Sequence, residues 1–135
     1  MNKTLLTIIV CAIAFGACRG EFPCGAKPCN KVFAFISLKF TKNDGTGVEV
    51  TNFSVVNQRT GSTLDRVGSS DFEPGSGMYT IATDRHLKDL SAKGDDLKIT
   101  ATYEGQTKSA IVKVSGGGCA CHIKKVSGPE TVAFD

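Results

Sequence analysis

Short runs of alternating apolar and polar residues, separated by glycine-bearing turns, constrain this chain most. Over residues 97–114, Leu97, Ile99, Ala101 and Tyr103 alternate with polar neighbours, Glu104-Gly105-Gln106 turns the chain, and Ala110, Val112 and Val114 resume the alternation. A period of two places one set of side chains on one face of a strand, so this segment predicts a hairpin. Residues 32–41 predict a strand with Val32, Ala34, Ile36, Leu38 and Phe40 on one face and Phe33 and Phe35 on the other. Residues 42–47, with Asp44-Gly45 at their centre, predict a turn. Strands are expected over 48–57, 78–83, 120–126 and 131–134, a short strand or edge over 62–67, and a Gly/Ser loop over 68–77. Residues 84–90 predict one helical turn, with Asp84 as N-cap and Leu87 and Leu90 on one side. The expected fold is all-β: a single antiparallel sandwich of about seven strands with at most one short helical turn.

The first residues set the compartment. Lys3 supplies a positive charge, and residues 5–15 carry none. That apolar run suits a signal peptide and falls short of the ~20 residues a permanent membrane helix needs. Phe15-Gly16-Ala17-Cys18 resembles the bacterial lipobox, with Phe15 in the position of the usual Leu. The resemblance implies cleavage before Cys18 and acylation of its thiol. Ordinary secretory cleavage after Gly16 is the alternative. Residues 1–17 are thus expected to be a lipoprotein signal peptide, 18–31 a short tether with Gly20, Pro23, Gly25 and Pro28, and 32–135 the sandwich. The cell envelope follows as the location, with a lipid anchor in the outer membrane, or a secreted or periplasmic form if Cys18 carries no lipid.

Removing residues 1–17 from the 135 leaves enough chain for one domain and too little for two. Acids and bases are mixed, and no basic run exceeds Lys124-Lys125, so nucleic acid is not expected as a partner. Fifteen glycines and no tryptophan suit a turn-rich β domain. Beyond Cys11 and Cys18, four cysteines remain: Cys24 and Cys29 near one terminus, Cys119 and Cys121 near the other. An even number in an oxidising compartment predicts two disulfides. Three connectivities are open. A Cys119–Cys121 bridge closes the tightest ring, which favours two long-range bridges, each joining Cys24 or Cys29 to Cys119 or Cys121. Closing a loop of roughly 90 residues contributes up to ~4–5 kcal/mol in the chain-entropy treatment. On a strand, Cys119 and Cys121 would share a face. The rival is a metal site of the four thiols, or three with His122, but C-x4-C and C-x-C-H miss the common zinc spacing. No metal or other cofactor is expected.

A family resemblance lies in Gly47-Val48-Glu49-Val50-Thr51-Asn52-Phe53-Ser54-Val55-Val56-Asn57-Gln58-Arg59-Thr60-Gly61. This stretch resembles the glycine-led strand and following Thr-Gly of transthyretin-like, carboxypeptidase regulatory-like domains. Gly77-Met78-Tyr79-Thr80-Ile81 resembles their Gly-x-Tyr strand, with Phe72-Glu73-Pro74-Gly75-Ser76 in place of the usual Thr-Asp-x-Gly turn. Residues 119–130 look like the tail of small lipoproteins of Bacteroidetes-type bacteria. These likenesses imply an Ig-like or transthyretin-like sandwich, an envelope location and a non-catalytic accessory or interaction role.

Nothing in the chain reads as an active site: there is no Gly-x-Ser-x-Gly elbow, His-Glu-x-x-His or phosphate loop. His122 is expected to be structural or at the surface, pointing away from the cysteine face of its strand. His86 is expected to be a solvent histidine on its helical turn. Asp44, Asp95 and Asp96 lack a calcium ladder. Tyr79 and Tyr103 could stack sugars, with core packing the preferred role. Ser76 in Gly-Ser-Gly suits a flexible loop, and the sequon Asn52-Phe53-Ser54 carries no expected modification. The function expected is therefore a membrane-anchored envelope lipoprotein, not an enzyme, with a structural or protein-interaction role. The alternatives are a carbohydrate- or peptide-binding accessory module, which an exposed aromatic platform would favour, and a thiol redox or metal protein using Cys119-Ala120-Cys121-His122.

Overall fold

The computed structural model describes residues 24–25, 27–69 and 72–135, so the signal segment and the expected lipid acceptor Cys18 lie outside the described residues. Seven strands form in chain order: β1 (Phe35–Lys42), β2 (Thr51–Asn57), β3 (Met78–Thr83), β4 (Asp95–Tyr103), β5 (Gln106–Ser115), β6 (Lys124–Ser127) and β7 (Thr131–Phe134). They build two sheets, of order β3-β1-β7 and β2-β4-β5-β6, that pack face to face. The chain is an all-β sandwich with one 3-10 turn, Asp84–His86.

The alternation places the core. Leu38, Phe40 and Ile81 on the three-stranded sheet face Val55, Leu97, Ile99, Val112 and Val114 on the other, all fully buried. Burying each such side chain stabilises the fold by about 1.5–3 kcal/mol. The 4–5 hairpin keeps its register from Asp95↔Val114 to Tyr103↔Gln106. Its two turn residues, Glu104 and Gly105, both take positive φ, the turn that matches strand twist.

Strand pairing is antiparallel except between β1 and β7, which run parallel from Lys39↔Thr131 to Lys42↔Phe134. The expectation of a purely antiparallel sandwich is corrected here. The chain leaves β6 and changes sheet through Gly128 and Pro129, so no hairpin dictates the direction in which β7 meets β1.

Two glycines set the approach of the loops to β1. A side chain on Gly47 would meet the Ser76 backbone oxygen at 2.3 Å, and one on Gly77 would meet the Phe40 backbone oxygen at 2.2 Å. That contact lets Phe40 bond both Gly77 and Val48 through its backbone. Tyr79, just beyond, has its hydroxyl accept from the Val50 N–H at 2.8 Å, tying β3 to the chain before β2.

Several boundaries differ from expectation, each for a local reason. β1 begins at Phe35 because its partner β3 ends opposite it, at Thr83. Val32 and Phe33 are left outside the sheet and exposed. β2 begins at Thr51, since the preceding residues bridge to Thr41 and wrap Gly77, and Asn52 takes a positive φ. Residues 62–67 give only the bridge Val56↔Thr63. The strand expected over 120–126 shrinks to Lys124–Ser127, so Cys119, Cys121 and His122 lie in turns and bends before it, and the shared-face argument for the two cysteines fails. The cap of the 3-10 turn is Thr83, one residue before Asp84.

Candidate functional site at the cystine-bound end

One end of the sandwich gathers the start of β1, the end of β3, the 3-10 turn, the start of β4 and the end of β5. The cysteines meet there as Cys24–Cys119 and Cys29–Cys121, with Cα separations of 5.2 and 5.3 Å. The two long-range bridges expected from the sequence are present, and their pairing is now defined. Cystines of this kind are what an oxidising compartment outside the cytoplasm forms.

Asp84 is the polar hub of this end. Its carboxylate accepts from the backbone N–H of Ala34 at 2.8 Å, the N–H of Ile123 at 2.9 Å and the ring Nδ1 of His122 at 2.7 Å. One side chain thus joins the N-terminal arm, the 3-10 turn and the chain after the cystines. Burial opposes its ionisation, but the bonds from Ala34, His122 and Ile123 outweigh it and hold the carboxyl below its ordinary value. The sequence placed Asp84 at a helix cap; it missed these contacts because all three donors lie about forty or more positions away.

His122 beside a carboxylate has the outline of a catalytic pair. Its other nitrogen, Nε2, lies 2.6 Å from Asn30 Oδ1 and is spoken for. Neighbouring Cys121 and Cys119 are cystine sulfurs, which supply neither thiolate nucleophile nor thiolate ligand. Among the described residues, no group of three or more His, Cys, Asp or Glu side chains is placed to hold a metal ion. His122 is a structural clamp.

A second carboxylate, Asp95 at the start of β4, is fully buried. Arg59 grips it with Nε at 2.8 Å and Nη2 at 2.9 Å, and Asn57 Nδ2 and the Ser91 N–H complete its shell. The guanidinium, aided by Ser91 and Asn57 against the cost of burial, drives the Asp95 carboxyl well below the usual carboxylate range. Asp44 lies beyond Lys42, at the other end of the sheets, so the three aspartates Asp44, Asp95 and Asp96 do not converge.

The expectation of a solvent-facing His86 is overturned. His86 is 3% exposed, with Nδ1 accepting from the Thr83 N–H at 3.1 Å and Nε2 3.1 Å from the Asp65 carbonyl. It faces inward together with Leu90, four residues on, which is buried in the core. Tyr79 packs between Phe40 and Phe53, and Tyr103 against Phe134, so neither offers a free ring face for sugar.

The exposed aromatics are elsewhere. Phe33 and Phe35 are 55% and 57% exposed, beside Val32 at 67%. Phe72 meets Phe35 edge-on at 6.2 Å, and with Phe33 and Thr83 they line a shallow hollow of about 260 Å³. Alternation places Val32 on the same face as Leu38 and Phe40, and only the end of β3 opposite Phe35 leaves it outside the sheet. No helix among the described residues is long and apolar enough to cross a membrane. No protein-family model, curated protein or solved structure matches the chain.

Proposed function

We propose that this chain is a lipid-anchored protein of the bacterial cell envelope, attached through Cys18, whose sandwich has a structural or protein-interaction role and no catalytic one. One observation carries the reading: the arm that would follow the anchor is bound to the domain by two cystines and by Asp84. Such bracing fixes the orientation of a domain relative to its attachment and contributes nothing to chemistry. The outer membrane is the proposed site, and the transthyretin-like, carboxypeptidase regulatory-like kinship is the proposed family. The Gly77-x-Tyr79 element supports that kinship, because its glycine admits the backbone of β1 and its tyrosine ties β3 to Val50.

The exposed phenylalanines favour a second reading, a peptide-binding accessory module. A glycan fits them less well. Sugar recognition needs several polar groups around the ring, and Thr83, the one hydroxyl among the described residues that line this hollow, already accepts from the Arg85 N–H.

Intact-mass measurement of the unreduced protein tests the anchor reading. It should show acyl mass on Cys18 and a deficit of about four daltons for two cystines. Cys18→Ser should move the protein from the membrane to the soluble fraction. An unacylated N-terminus, or a Cys18→Ser protein that stays on the membrane, overturns the reading.

A further inference from the structure

We propose that the patch of Val32, Phe33, Phe35 and Phe72 rests in the surface of the bilayer that holds the anchor, so that the sandwich stands on its cystine-bound end. The proposal rests on the anchor reading given above and extends it to one face of the domain.

Chain length selects the end. Cys18 and Cys24 are six residues apart, a reach of at most about 20 Å when fully extended. Cys24 is fixed to Cys119, at the end where β1 begins and β5 finishes. The nine residues of β4 carry the chain to the opposite end, a distance of about 30 Å at ordinary strand rise. An anchored Cys18 therefore brings the cystine end to the lipid and leaves the Tyr103 end out of reach.

The patch lies at that end. Ala34, between Phe33 and Phe35, donates to the same Asp84 carboxylate that holds His122, next to Cys121. Of the five large exposed apolar side chains among the described residues, three are Val32, Phe33 and Phe35, grouped within four positions. Charge complements the apolar surface. Lys27, Lys31, Arg85, Lys88, Lys93 and Lys124 are exposed on segments meeting here. Part-buried Asp84 and buried Asp95 are each engaged by donors within the domain, Asp84 by Ala34, His122 and Ile123 and Asp95 by Arg59. Exposed Asp65, Asp89 and Asp96, with Glu73 beside Phe72, still leave the cations among the described residues in excess. Aromatic rings flanked by lysine and arginine match an anionic lipid interface, where rings sit at headgroup depth and cations meet phosphates. A soluble peptide would equally cover the rings, but nothing about the tether would then bring it to this end.

The absence of tryptophan makes the test clean, since one introduced tryptophan is the sole such fluorophore. The mature lipoprotein carrying Phe33→Trp is reconstituted into vesicles of phosphatidylethanolamine and phosphatidylglycerol whose acyl chains are brominated near the headgroup. A second protein carries Thr107→Trp, exposed on the 4–5 hairpin at the opposite end. The tryptophan of the first should emit at shorter wavelength and lose most of its intensity to bromine, while that of the second stays solvent-like and unquenched. Acylated protein in which the first reporter is unquenched, or both are quenched alike, overturns the proposal and leaves the anchor standing. A blue shift that grows with protein density and ignores bromine assigns the patch to a second copy, and also overturns it. Protein without acyl mass on Cys18 overturns both readings together.

Discussion

The two ends of the sandwich are held by different means. At the Tyr103 end, stability comes from packing: Phe40 contacts the rings of Tyr79, Phe53 and Phe134 at centroid distances of 5.3, 6.1 and 6.1 Å, and a two-residue turn closes the 4–5 hairpin. At the other end, long-range links dominate, with cystines 95 and 92 residues in span and two carboxylates each gathering three or more donors. There the large apolar groups Val32, Phe33 and Phe35 face outward. A domain that must present apolar rings at one end cannot use them to hold that end together. Covalent and charge-assisted links take their place.

The largest effect that would break this comparison is loss of both cystines. With all four of these cysteines replaced by serine, the chain-entropy treatment predicts a loss of about 7 kcal/mol. With only Cys29 and Cys121 replaced, Cys24–Cys119 still closes the long loop and only a small ring reopens, so the loss is about 2–3 kcal/mol. Urea midpoints of the two variants should differ accordingly; equal midpoints would mean that the bridges act independently of loop closure. At the packed end, Phe40→Ala removes the ring that three others touch and should cost about 3–5 kcal/mol. A cost below that of the single-bridge variant would show that the aromatic cluster is not what holds its end.

Smaller effects follow from the carboxylates. Arg59→Gln leaves buried Asp95 with only Asn57 and Ser91 as donors, a loss of about 2 kcal/mol by urea unfolding. Asp84 and Asp95 both titrate below their ordinary value in the folded chain. As pH falls below about 4, the unfolded chain takes up these protons first, so stability present at neutral pH drains away on the acid side. Asp95→Asn should therefore lower stability at pH 7 and flatten its decline below pH 4. An unchanged acid slope would remove Asp95 from the set of groups that hold the cystine end.

How much of this was legible in the sequence divides along the same line. The packed end was readable because its signals are local. The alternation of Leu97, Ile99 and Ala101 and the strand Met78–Thr83 appear as expected, and the turn expected over Glu104-Gly105-Gln106 appears with Gln106 already in β5. The cystine end was readable only in its cysteines. Asp84, His86, Asp95 and His122 act through partners distant in sequence, and no periodicity reports a hydrogen bond to Ala34 or Ile123. Val32 obeyed the alternation and still fell outside the sheet, since a strand ends where its partner ends and that length belongs to β3. The parallel pairing of β7 was hidden for the same reason: direction is set by which sheet the chain enters after Gly128.

The smallest predicted effect sharpens the local side of this contrast. Glu104 holds a φ of +45°, next to Gly105 at +79°, in a turn whose first position favours asparagine. A glutamate there is strained by its Cβ and gains no hydrogen bond among its described contacts that would compensate. Glu104→Asn should raise stability by about 0.5 kcal/mol, since asparagine tolerates the left-handed region. The same substitution should leave the difference between the one-bridge and two-bridge variants unchanged, because the turn lies about 30 Å along β4 from the cystines and shares no partner with them. A double-mutant cycle between Glu104→Asn and the Cys29→Ser, Cys121→Ser pair measures this. Additivity within a few tenths of a kcal/mol is expected of two ends stabilised separately. A coupling well above that would mean that the stapled end and the packed end strain one another through β4 and β5, and that the division between them is one of residue type alone.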